Sequence, residues 1–140
     1  MKAISMVVAF IFALFVSSQA YAASWAVVDK VEEGEIQIIT SVDKDSIKRA
    51  TNSAKFPKYN RSDGFSAIIK LEINAPSMDR SEMMQLVSFY NENGTKKYCV
   101  LEGYGENSGA QSESDVIIAN VDTDGEVWIK VWNFIEKNIK

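Results

Sequence analysis

Histidine is absent from this sequence, and cysteine occurs once, at Cys99. The first absence removes the commonest general base, the Ser and Cys triads that depend on it, and every zinc site with an imidazole ligand. The second removes an intrachain disulfide and any zinc site made of thiolates. No catalytic residue, cofactor site or metal site is therefore expected. Carboxylates and lysines remain as possible catalysts, but no spacing singles out a pair. Charge of one sign does not dominate either: 15 basic residues stand against 19 acidic ones, a net of −4. With 46% hydrophobic and 24% charged residues, the 140-residue chain reads as an ordinary globular protein rather than a disordered one.

Long apolar runs are also scarce, and the one present is at the start. "MKAISMVVAFIFALFVSSQAYA" carries one lysine, an uncharged stretch from Ala3 to Val16, and the small-x-small ending Ala20-Tyr21-Ala22. This is the pattern of a secretory signal, residues 1–22, with cleavage expected after Ala22. A helix of about fourteen residues covers only ~21 Å, short of a ~30 Å hydrocarbon core, so no stable membrane insertion is expected after cleavage. Ala23 and Ser24 stand where a lipoprotein would have cysteine. The expectation is an exported protein, periplasmic, extracellular or at the cell surface, with residues 23–140 as one domain.

Along that domain, "WAVVDKV" (25–31) and "EIQIITSV" (35–42) flank Glu32-Glu33-Gly34 and read as a hairpin. "GFSAIIKLEIN" sends Phe65, Ala67, Ile69, Leu71 and Ile73 to one face and Ser66, Lys70 and Glu72 to the other, ending at Pro76. Asn93-Gly94 between two apolar runs predicts a tight hairpin with strands near 85–91 and 95–104. Met83 to Leu86 could instead begin a helix. Trp128, Val131, Trp132, Ile135 and Ile139 recur at three and four, a helical stripe, with Thr123 and Glu126 spaced as a capping box. A strand over 127–131 before a shorter helix is the alternative. The expected fold class is α+β: an antiparallel sheet of about five or six strands with a C-terminal helix packed on it.

Three motifs resolve into structural readings. Gly103, Gly105 and Gly109 follow a strand, yet their spacing exceeds that of a dinucleotide fingerprint and no amphipathic helix follows. Asn120, Asp122, Asp124 and Gly125 open like a calcium loop, but Val131 occupies the twelfth position where a bidentate Glu is needed. Cys99 shares a strand face with Leu101, which predicts a buried, inert thiol.

The distribution of charge is less ordinary. Lys44, Lys48, Arg49, Lys55, Lys58 and Arg61 crowd eighteen positions with only Asp45 opposing them, whereas Glu102 to Glu126 holds seven acids and no base. A basic loop containing Lys48, Arg49, Lys55, Phe56, Lys58, Tyr59 and Arg61 is the candidate ligand site, for a sulfated glycan, an anionic lipid or an acidic protein patch such as that of a host matrix protein. Nucleic acid is not an expected partner of a net-acidic exported chain.

Trp25 near the mature start, the turn "SVDKDSIKR" with Asp43, Ser46 and Ile47, "KKYCVLEGYGENSG", and Trp128 ahead of a terminal helix occur in an order that resembles the surface-adhesin protein E-like family of bacterial secreted and outer-membrane proteins. The resemblance implies a single adhesin E-like domain and a non-catalytic binding module. Many members carry a second cysteine at the C-terminus; this chain ends in Ile139-Lys140, so the resemblance brings no disulfide and no binding residue with it. Asp43 is expected to accept hydrogen bonds from the amides of Asp45 and Ser46 while Ile47 turns to the core, a structural turn rather than a site. Two other functions fit the residues: a periplasmic assembly partner using the acidic segment 102–126, and a small carboxylate-based hydrolase.

Overall fold

A computed structural model describes residues 23–104 and 112–139. Residues 1–22, expected from the sequence to be a signal, and the glycines Gly105 and Gly109 lie outside the described residues. Seven strands, β1 (Trp25–Glu33), β2 (Ile36–Asp43), β3 (Lys48–Thr51), β4 (Arg61–Ala75), β5 (Met78–Glu92), β6 (Thr95–Tyr104) and β7 (Ile117–Asn120), form one antiparallel sheet, followed by helix α1 (Glu126–Asn138). The path is β1-β2-β4-β5-β6-β7, with β3 also paired to β4. The α+β architecture read from the sequence is observed. The strands added to the expected five or six are β3 and β7, four residues each and too short to show a period.

Local chemistry sets each connection. Asn93 and Gly94 take φ of 53° and 83°, so both turn residues of the β5–β6 hairpin have the left-handed backbone that the Asn-Gly pair favours. The helical alternative for Met83 to Leu86 is overturned: all four lie in β5, paired with β4 from Phe65↔Phe89 to Ala75↔Met78. The terminal helix spans 126–138 without a preceding strand at 127–131, and the Thr123 capping box does not form. Gly125 is the N-cap, at φ 121°, and no side chain caps it. Gly64 answers a different demand, for a Cβ there would lie 2.1 Å from the Phe89 carbonyl oxygen.

The sheet buries both faces, which alternation in a single strand did not convey. On one face Val42, Phe65, Ala67, Ile69, Val87, Phe89, Tyr98 and Val100 meet Val131, Trp132 and Ile135 of α1. Trp128 stacks on Tyr98 with centroids 3.9 Å apart, and Trp132 meets Phe65 edge-on at 4.8 Å. On the other face Ile68, Leu86, Cys99 and Leu101 form a second core with Phe56 and Tyr90. Ile68 is the residue that breaks the two-period pattern of β4, and it is 6% exposed. Among the described residues no helix is long and apolar enough to cross a membrane.

Candidate functional site

The basic stretch begins where β2 ends its pairing with β4. β2 pairs with β4 as far as Val42↔Ile69, and β3 resumes the pairing at Lys48↔Ser66, leaving a gap bridged by a 3-10 turn over Lys44–Ser46. Ile68 faces that gap, and its amide donates to Ser46 Oγ at 2.8 Å, which replaces the missing ladder bond. Ser46 in turn donates its hydroxyl to the Asp43 carbonyl at 2.7 Å. Asp43 Oδ1 accepts from Asp45 N at 3.0 Å, as expected, and its other donor is Ser24 N at 3.0 Å rather than Ser46 N. Ile47 packs against the helix-side core. Asp43, Ser46 and Ile47 thus make the turn that aims β3.

On β3, Lys48 stands opposite Ser66 and Arg49 opposite Phe65, so the two cations project to opposite faces. Both are exposed, and neither pairs with a carboxylate among the described residues. Ala50 follows at φ 75°, where the register shifts by two residues before Thr51↔Arg61. Buried Thr51 is held by a hydroxyl contact of 2.6 Å to Ser88.

The stretch that follows is not the free loop that its composition suggests. Phe56 is 4% exposed and belongs to the second core, so it is not available to a ligand. Tyr59 packs against the same core. Asn60 ties the ends of the segment, donating Nδ2 to the Ser53 carbonyl at 3.3 Å and accepting from Ser53 N, while Ser53 Oγ accepts from Phe56 N at 3.0 Å. The segment is therefore a flap: apolar anchors fasten it to the sheet, and a short 3-10 turn over Pro57–Tyr59 exposes its lysines. Lys55 and Lys58 lie over the rings of Phe56 and Tyr59 at 5.5 and 5.8 Å.

Arg61 is separated from the other cations by its commitments. It lies in β4, stacks over Tyr90 at 3.9 Å, and makes a two-pronged pair with Asp63 at 2.9 and 3.0 Å. The hydrogen bond from Arg61 holds the Asp63 carboxyl below its ordinary range. Part of the acidic segment also reaches the flap: Lys58 is 3.7 Å from Glu113, and Lys55 N donates to Glu102 at 3.3 Å. The Lys58–Glu113 pair is more than half exposed at both ends, so solvent screens it and it fixes little.

Lys48 lines a cleft of about 150 Å³ with Asp45, Asn52, Ser66 and Tyr104, floored by Ile68 and Leu86. Burial, with help from Glu102, pushes the Tyr104 hydroxyl up to about 12, so it stays neutral at physiological pH, donating to Glu102 at 3.2 Å. Asn52, Ser66 and Tyr104 were not among the residues singled out from the sequence. Ser66 was legible as a polar-face position, but three strands converging on Lys48 leave no spacing signal. The cleft contains a cation and neutral polar groups with one carboxylate, and that carboxylate accepts a hydrogen bond from Ser24 Oγ at 2.7 Å. Such a lining suits an anionic group better than a cation.

Asp124 accepts a hydrogen bond from Tyr98, whose hydroxyl is raised by burial and by that carboxylate. Among the described residues no three His, Cys, Asp or Glu side chains gather to hold a metal ion. Cys99 is 2% exposed, and burial pushes its thiol up to about 11, as expected of an inert core residue. No protein-family model, curated protein or solved structure matches the chain.

Proposed function

We propose that this protein is a non-catalytic, exported, adhesin-like binding module that captures an anionic group, such as the sulfate of a glycan or an acidic patch of a matrix protein. The observation that carries the reading is Lys48, an exposed cation without a carboxylate partner among the described residues, set in a cleft with Asn52, Ser66 and Tyr104. Lys55 and Lys58 extend the positive field around it, whereas Arg49 projects from the opposite face of β3; Tyr59 and Phe56 serve as flap anchors and Arg61 as a brace. A ligand with several spaced anionic groups would engage the cleft and the flap together. The opening part of the chain and its likeness to protein E-like adhesins support export and a binding role.

An assembly partner acting through segment 102–126 has less support, because Glu102 and Glu113 already face the flap. A carboxylate hydrolase has less still, since the Lys48 cleft offers a single carboxylate. The test is binding to immobilised heparin across a salt gradient. Lys48→Glu with Lys58→Glu should elute at lower salt than the parent, and by more than the same charge reversal at Lys130 and Lys137 on the helix. Unchanged elution of the double variant would remove this face as the site.

A further inference from the structure

We propose that the α-ammonium released by cutting the Ala22–Ala23 bond is bound by the Asp43 and Asp45 carboxylates, so that export processing completes the fold. The inference rests on the cleavage point at Ala20-Tyr21-Ala22 and is independent of what the cationic face binds. Chain ends are ordinarily loose unless something ties them down. Here Ser24, the second residue past the scissile bond, is held three times by one turn. Its N–H donates to Asp43 Oδ1 at 3.0 Å, its hydroxyl donates to Asp45 Oδ2 at 2.7 Å, and its carbonyl accepts from Lys44 N at 2.9 Å.

A second observation points to a missing donor. Asp43 is 0% exposed, and its Oδ2 has no hydrogen-bond partner among the described residues. A buried carboxylate oxygen left without a donor is costly, and a cation with several N–H groups is its complement. The cations on nearby elements are otherwise placed. Lys70 pairs with Glu72 at 3.2 Å and lies over the Trp25 ring, and Lys44 is exposed.

Hydrolysis by a signal endopeptidase supplies the donor. Water gives its hydroxyl to the Ala22 carbonyl carbon and a proton to Ala23 nitrogen as the peptide bond breaks. The new amine takes up a further proton at neutral pH and becomes an ammonium with three donors. It stands one residue step, about 3.8 Å between Cα atoms, upstream of Ser24. The uncut chain offers a neutral amide at that position.

The experiment uses the chain beginning at Ala23, labelled with ¹⁵N at that residue, beside the same chain acetylated at its N-terminus. The free amine should titrate above the ordinary α-amino value of about 8. The free form should also show a folded-to-unfolded ratio on the order of tenfold higher than the acetylated form near pH 6. Because the amine is raised in the folded state, this advantage is complete below its unfolded value and fades as pH rises through the folded one. Asp45→Asn, at the exposed carboxylate, should lower the amine's titration point. An amine titrating at or below its ordinary value, in a folded protein, overturns the proposal whatever the denaturation curves show.

Discussion

Replacing Phe56 by alanine separates a fastened flap from a loose basic loop. The ring is 4% exposed and belongs to the second core with Ile68, Leu86, Tyr90, Cys99 and Leu101. Truncating a buried Phe to Ala removes its transfer free energy and leaves a cavity, a loss of about 3–5 kcal/mol. The flap lies at the surface and can settle inward, so the lower end, about 3 kcal/mol, is expected. For a domain of this size that corresponds to a fall in Tm of roughly 10–15 °C. Urea denaturation followed by tryptophan fluorescence measures it directly. Lys58→Ala is the matched control two residues away: its ion pair with Glu113 is long and exposed, and the change should stay within about 0.5 kcal/mol. Should Phe56→Ala also fall within about 0.5 kcal/mol, the ring would not be anchoring anything and the flap would be a loop after all.

Other predictions follow the same logic. Ser46→Ala orphans the buried Ile68 amide and should cost about 1–3 kcal/mol by denaturant titration, with faster hydrogen exchange at Ile68. Gly64→Ala places a methyl 2.1 Å from the Phe89 carbonyl at a φ of 72°, so the variant should lose more than about 2 kcal/mol or fail to accumulate folded. The Cys99 thiol is raised from 9.0 to about 11 by burial, so the stability it contributes is full below pH 9 and is lost as pH climbs through 11. That loss is on the order of 2–3 kcal/mol, and Cys99→Ala should flatten this part of the stability profile, leaving a residual slope from the raised hydroxyls of Tyr90, Tyr98 and Tyr104. A thiol reagent at pH 8 should leave native Cys99 untouched and label it only on unfolding.

Much of the fold was legible because two of its signals are local. Asn93-Gly94 dictates its own backbone, and the stripe of Trp128, Val131, Trp132 and Ile135 needs only helical geometry to form a face. The second core was not legible, because it is assembled from β4, β5, β6 and the flap, and no single segment shows it. Ile68 and Phe56 look like exceptions in their own stretches until those stretches are superposed. The same cause explains the candidate site. The charge cluster was visible, but its division into outward cations (Lys48, Arg49, Lys55, Lys58), anchors (Phe56, Tyr59) and a brace (Arg61) depends on tertiary partners. Asp43 was read as a turn former from its position alone, whereas its contact with Ser24 joins residues 19 apart in sequence.

The most direct test of the account is a two-dimensional NMR titration of the backbone amides with a heparin-derived oligosaccharide, run at low and at physiological salt. Shifts concentrated at Lys48, Asn52, Lys55, Lys58 and Ser66, weakening as salt rises, are the expected result. Shifts concentrated instead around Lys130 and Lys137 on the helix, or none at low salt, would contradict the assignment of function to the cationic face.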